Sequence, residues 1–92
     1  MEIEQQNTEE NGLFKANENN IEAGMMTYTW AGTDRFIIDH TEVKPEFRGK
    51  NVGKKLVMAA VEFARKMNVN IIPLCPFARS VFDKTKDIRD VL

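Results

Sequence analysis

An α+β (mixed α/β) fold, with a central, mostly antiparallel sheet packed against helices, is predicted by three observations. Residues 2–43 hold four runs of strand-forming character, separated by short polar turns. Residues 52–67 then carry apolar side chains at helical spacing. A short apolar run at 69–74 follows and leads into Pro76, a residue suited to the first turn of a helix. The order β-β-β-β-α-β-α describes a meander that enters a helical crossover. Ninety-two residues, 42% of them hydrophobic, suit one domain over 1–92 with one core.

Each element has its own reason. Residues 2–6 form a short strand with Ile3 as its buried member, and Thr8 to Gly12 is a polar turn. Residues 12–18 form a strand that ends at Asn19-Asn20, a plausible hairpin connection. In 21–30, Ile21, Ala23, Met25, Thr27 and Thr29 alternate onto one face, with Tyr28 and Trp30 on the other. Aromatic residues so placed suit core packing better than stacking on a base. Gly32 and Asp34 mark the next turn. Residues 35–43 are the strongest strand signal, and Pro45 forbids further ladder pairing. In the helix 52–67, Val52, Leu56, Ala59, Ala60, Phe63, Ala64 and Met67 make the apolar face, and Asn51 is positioned to cap it. Ala78, Val81 and Phe82 give the second helix a narrow apolar face, and 87–92 adds one more turn.

The net charge of −1 gives no global reason to expect nucleic acid. Its distribution is uneven. Residues 1–24 hold six Glu and one Lys, whereas residues 44–67 hold seven Lys/Arg and two Glu. A local basic site beside an acidic body favours a small anionic ligand over a long polyanion. The lone Cys75 forms no intrachain disulfide and suits a reducing compartment, so a cytoplasmic location is expected. No apolar run reaches membrane-span length, and the acidic, polar N-terminus is unlike a signal peptide.

The basic excess centres on Phe47-Arg48-Gly49-Lys50-Asn51-Val52-Gly53-Lys54-Lys55, two glycines and four cations at a helix start. Cations are disfavoured at helix N-termini by the dipole, while free N–H groups there suit phosphate. The spacing fits neither the Walker loop nor the Gly-x-Gly-x-x-Gly pattern. A bound phosphorylated ligand explains the pattern; a solvated basic turn is the plainer reading. Cys75, before Pro76 and a helix, reads either as a small buried hydrophobe or as a thiol activated by the helix end. His40, the only histidine, reads as a structural residue or a general base. Strict alternation makes Glu42 its neighbour and puts Asp39 and Thr41 on the opposite face. One His and one Cys do not suggest a zinc site, so no metal is expected. There is also no Gly-x-Ser-x-Gly.

Phe36–Val43 followed by Lys44-Pro45-Glu46-Phe47-Arg48-Gly49-Lys50-Asn51-Val52-Gly53-Lys54-Lys55-Leu56 resembles the acyl-CoA-binding core of GCN5-related N-acetyltransferases. His40-Thr41-Glu42-Val43 and Ile72-Pro73-Leu74-Cys75-Pro76-Phe77-Ala78 resemble signatures of a short subfamily with a Pro-Leu-Cys-Pro-Phe motif. The resemblance runs from about residue 10 to the end. It implies a truncated acyl-CoA N-acyltransferase fold whose fourth and fifth strands splay to admit the pantetheine arm. It implies an acetyl-CoA cosubstrate, its pyrophosphate held by Arg48, Gly49, Lys50, Asn51, Val52, Gly53, Lys54 and Lys55 and its amides by the strand edge ending at Val43. Asn51 takes the inner glycine position of the loop and tolerates a left-handed backbone. Cys75, His40 and Glu42 become the catalytic candidates, and the partner is an unidentified amine or protein acceptor, with no nucleic acid or membrane. The helices that larger members place between their first two strands have no counterpart in the short Gln6–Asn11 interval, nor do their later strands. A non-catalytic acetyl-CoA sensor or partner-regulated module is the alternative function.

Overall fold

The computed structural model describes residues 1–92. The order is β1 (Glu2–Asn7), β2 (Asn11–Glu18), β3 (Ile21–Trp30), β4 (Arg35–Val43), α1 (Val52–Met67), β5 (Asn70–Pro73) and α2 (Pro76–Lys84), with 3-10 turns at Pro45–Phe47 and Lys86–Val91. The five strands follow chain order across one sheet. The first four pair antiparallel, and β5 pairs parallel to β4 after the α1 crossover. No helix is long and apolar enough to cross a membrane.

Local chemistry sets the turns. Asn19 and Asn20 both take positive φ, 51° and 66°, as a tight two-residue hairpin requires. Thr8 closes the first turn by accepting through Oγ1 from the Asn11 N–H and donating to the Asn11 carbonyl. Asn68 ends α1 in the left-handed conformation, its N–H shared between the carbonyls of Ala64 and Arg65.

Both helices and the C-terminal 3-10 turn pack on one face of the sheet around a single core cluster. Phe14, Tyr28 and Phe36 from the sheet meet Phe63 of α1 with ring centroids 5.8–6.1 Å apart. Arg65 anchors the last turn to α1, donating through Nε and Nη2 to the Asp90 carboxylate and through Nη1 to Glu62. The α1 face is broader than 3.6-residue spacing alone suggested. Val57 and Val61 are buried as well, because α1 lies between the sheet and α2 with its following turn. Met67, expected in the core, is exposed.

Two one-residue register shifts move Ala23 and Asp39 off their expected faces. Residues 22 and 24 of β3 oppose 17 and 16 of β2, which leaves Ala23 extra. The alternation reverses there, so Ala23, Met26 and Tyr28 are buried while Thr29 and Ile21 are exposed. In β4, His40 and Ile38 oppose Thr27 and Tyr28, which leaves Asp39 extra. Phe36 and Ile38 point to the core; after the bulge Thr41 does so, opposite buried Met26. Asp39 turns outward and accepts from Thr29 Oγ1 at 2.6 Å.

Gly24 lets β3 approach the start of α1. A Cβ there would stand 2.7 Å from the Glu42 carbonyl oxygen and 3.0 Å from Val52 Cγ1. Gly24→Ala is expected to cost about 1–3 kcal/mol through overpacking, read as a lower urea midpoint with unchanged slope. An unchanged midpoint would show that β4 and α1 separate freely.

Candidate functional site

The site lies where β4 and β5 part. Their ladder runs from Arg35–Asn70 to Ile38–Pro73. Cys75 then donates its N–H to the Ile38 carbonyl at 3.0 Å, and α2 departs from Pro76. Residues 39–43 of β4 therefore have no strand on that side. The ladder ends where the splay is expected, because β5 stops at Pro73.

A cleft of about 450 Å³ opens beyond it, between Val43, the loop 47–54 and α2. On the loop wall, Gly49 has φ 83° and Asn51 φ 59°. Asn51 stands at the N-cap of α1, but its side chain makes no capping hydrogen bond. The expected side-chain cap is replaced by a left-handed backbone. The first bond of the helix runs from the Lys55 N–H to the Asn51 carbonyl at 3.0 Å. The N–H groups of Val52, Gly53 and Lys54 precede it, so the positive end of α1 is open.

Of the four cations in this stretch, Arg48 and Lys54 line the cleft. Lys50 does not; its Nζ lies 5.3 Å from the Phe47 ring centroid. Lys55 lies outside the lining as well. Lys54 and Lys55 are successive helix residues and diverge by the helical turn angle, which sequence adjacency hides. Gly53 is buried, and a Cβ on it would sit 2.5 Å from Phe77 Cζ. Its small size thus makes room for the Phe77 ring.

The far wall belongs to α2 and was not anticipated. Phe77, Ser80, Val81 and Lys84 share one helical stripe facing the cleft, and Thr85 extends it. The i, i+3, i+4, i+7 spacing of 77, 80, 81 and 84 was the available signal. Lys84 is the third cation in the lining, which contains no acidic residue. None of the three cations has a carboxylate within ion-pair distance.

The catalytic candidates divide between faces. Cys75 is 6% exposed, with Sγ 3.5 Å from Thr41 Oγ1 on the inner side. His40 pairs with Thr27 and Glu42 with Met25, on the outer face that Asp39 shares. The expectation that Asp39 and Thr41 share a face fails at the bulge. Burial pushes the Cys75 thiol up, but hydrogen bonds from the Ala78 and Phe77 backbone and from both the side chain and backbone of Thr41 outweigh it. The thiol therefore ionises below its ordinary value.

The sequence matches the family model of GCN5-related N-acetyl-transferases over residues 13–91, and the chain belongs to that family. Among solved structures, a Staphylococcus aureus GCN5-like protein proposed to be an N-acetyltransferase is 38% identical, with a TM-score of 0.69 over 96% of this chain and 85% of its own. The ribosomal-protein-alanine N-acetyltransferase of Brucella melitensis biovar Abortus 2308 is 16% identical, with a TM-score of 0.72. That match covers 84% of this chain and 62% of the Brucella chain. A Bacillus anthracis protein proposed to be a streptothricin acetyltransferase, solved with acetyl coenzyme A, is 23% identical with a TM-score of 0.61, over 71% of this chain and 38% of its own. The last two likenesses concern the fold. No curated protein matches the sequence.

The lowered pKa of Cys75 has a measurable consequence. Alkylation by a small thiol reagent should reach half its limiting rate at a pH below that of a cysteine peptide. Because the folded thiol ionises lower than the unfolded one, its contribution to stability is full above the unfolded pKa and is lost as pH falls through the folded one. The stability difference between wild type and Cys75→Ala should follow that sign. A half-point at or above the peptide's would mean that burial outweighs the hydrogen bonds.

Proposed function

We propose that this protein is an acetyl-CoA-dependent N-acetyltransferase acting on an amine. The observation that carries the reading is the cleft: open helix N–H groups and three unpaired cations with no acidic residue among its lining. A pyrophosphate suits the loop wall, with N–H groups of residues 49–54 as donors and Arg48 and Lys54 as charges. Lys50 and Lys55 contribute only at longer range. The strand edge 39–43, ending at Val43, suits the pantetheine amides, because its outer side has no ladder partner. The thioester would then reach the splay near Thr41 and Cys75. We read the Pro73–Phe77 segment as the mark of a short single-domain subfamily, and the free Cys75 favours a cytoplasmic location.

In direct transfer the amine nitrogen attacks the thioester carbonyl. A C–N bond forms, the C–S bond breaks and CoA leaves as a thiolate that takes up a proton. Glu42 or His40, on the outer face, is the base for the ammonium proton through water. The covalent route has the Cys75 thiolate taking the acetyl group first. The division of Cys75 from His40 supports direct transfer, since no base stands beside the thiol. The same division, with a sheet face that no helix covers, favours a second reading: a protein that binds acetyl-CoA without turnover.

Titration with CoA followed by amide NMR tests the shared part. Shifts should concentrate at residues 48–54 and along α2, and Arg48→Glu and Lys54→Glu should each weaken binding by about tenfold with little loss of stability. Shifts elsewhere, or unchanged affinity in both variants, would reject the loop assignment. Acetylation of a panel of amines and peptides separates the two functions. Turnover lost in Glu42→Gln or His40→Ala but kept in Cys75→Ala supports direct transfer, and no turnover by the folded, saturated protein supports the binding module.

A further inference from the structure

We propose that Lys84, in the last turn of α2, binds the 3′-phosphate of CoA and makes the cleft select CoA over 3′-dephospho-CoA. This rests on the reading of the cleft as a CoA site and adds a chemical distinction to it.

The charges in the cleft exceed what a pyrophosphate needs. The loop wall alone offers the open N–H groups of α1 with Arg48 and Lys54. Lys84 stands on the other wall, in line with Ser80 and next to Thr85, so that a cation and two hydroxyl residues share that side. CoA has one phosphate besides its pyrophosphate, the ribose 3′-phosphate, which carries roughly 1.5–2 negative charges at neutral pH, as a phosphate monoester does. A monoester with three acceptor oxygens matches an ammonium beside the Thr85 hydroxyl, whereas the Ser80 hydroxyl already donates to the Phe77 carbonyl at 2.7 Å.

The ordinary role for a lysine here is to complement the C-terminal end of the helix dipole. That role is already filled. Arg89 donates through Nε to the Phe82 carbonyl at 2.8 Å and through Nη2 to the Asp83 carbonyl. The Thr85 N–H also reaches the Phe82 carbonyl, at 3.3 Å. Lys84 has no carboxylate partner and is exposed at the cleft.

Direction along α2 agrees. Its N-terminus follows Cys75 at the splay, where the thioester would lie, and Lys84 is its last residue. Nine helical residues span about 13 Å. The thioester end and the nucleotide end of one ligand would thus meet opposite ends of the same helix.

The test is calorimetric titration of the whole protein with CoA and with 3′-dephospho-CoA at one ionic strength. Wild type should bind CoA roughly fivefold to tenfold more tightly, the range of a partly exposed charge-assisted contact. Lys84→Gln should bring CoA to the affinity of dephospho-CoA and leave dephospho-CoA unchanged, while Lys84→Arg keeps the preference. Lys66→Gln removes the same charge from α1 away from the cleft and should keep the preference too. Equal wild-type affinities, or equal weakening of both ligands in Lys84→Gln, would overturn the assignment of the 3′-phosphate to Lys84 and leave the CoA site standing. Failure of wild type to bind either ligand would overturn the CoA site itself, and the proposal with it.

Discussion

The parting of β4 from β5 is the constraint on which the rest of the structure depends. Pro73 faces Ile38 in the last ladder pair and has no N–H to give. Leu74 turns its N–H back to the Ile72 carbonyl, and only Cys75 reaches across once more, to the carbonyl of Ile38. Pro76 then starts α2, which leaves the sheet. Had β5 continued, its backbone would fill the space beside residues 39–43 and its side chains would close the cleft. An open strand edge is ordinarily a hazard for aggregation. Here it is short, backed by α2 and followed at once by Pro45, so it offers a ligand little more than one run of backbone.

The bulge at Asp39 decides which chemistry faces that opening. With strict alternation from Phe36 and Ile38, the next inward residues would be His40 and Glu42. An imidazole and a carboxylate would then stand beside Cys75. The extra residue reverses the pattern, and Thr41 faces Cys75 instead, with Sγ 3.5 Å from Oγ1. A hydroxyl helps the thiol ionise at lower pH without serving as a strong base. The imidazole and the carboxylate go to the uncovered face of the sheet. One residue of register thus separates the thiol from the imidazole and the carboxylate.

Much of the architecture was legible because it depends on local rules. Asn19-Asn20, the runs of β-branched and aromatic residues, Pro45 and Pro76 each restrict the backbone independently of their neighbours. The loop 47–55 was legible for the same reason: glycines, cations and a helix start lie close together in sequence. The two bulges were not, since an extra residue in a strand has no compositional mark and appears only when the partner strand is known. The bulges moved only Ala23 and Asp39 off their expected faces; Met25, Thr27 and Thr29 stay opposite Tyr28, and His40 stays with Glu42. The second wall of the cleft was hidden differently. Phe77, Ser80 and Lys84 are ordinary residues of a short helix, and what makes them a wall is the helix's departure at Pro76, a tertiary fact. Gly53 illustrates the overlap of the two levels. It reads as a backbone glycine for a phosphate, whereas its missing Cβ is occupied by the Phe77 ring of that unseen wall.

The start of α1 breaks three local preferences together. A non-glycine residue, Asn51, is left-handed at the cap; no side chain caps the first turn; and Lys54 and Lys55 stand where the dipole favours acids. Each choice destabilises the free helix end. Sequences are in general locally consistent, and clustered violations are expected where function overrides stability. The missing cap and the misplaced cations have one remedy, an anion seated on the open N–H groups. It would supply the missing acceptors, complement the dipole and neutralise the cations at once. Such a ligand stabilises the folded state by mass action because the unfolded chain offers no comparable site. By contrast, α2 ends with its carbonyls accepting from Arg89, a conventional arrangement in which the chain satisfies itself. The last carbonyls of α2 thus find their donors within the chain, whereas the first N–H groups of α1 stay open.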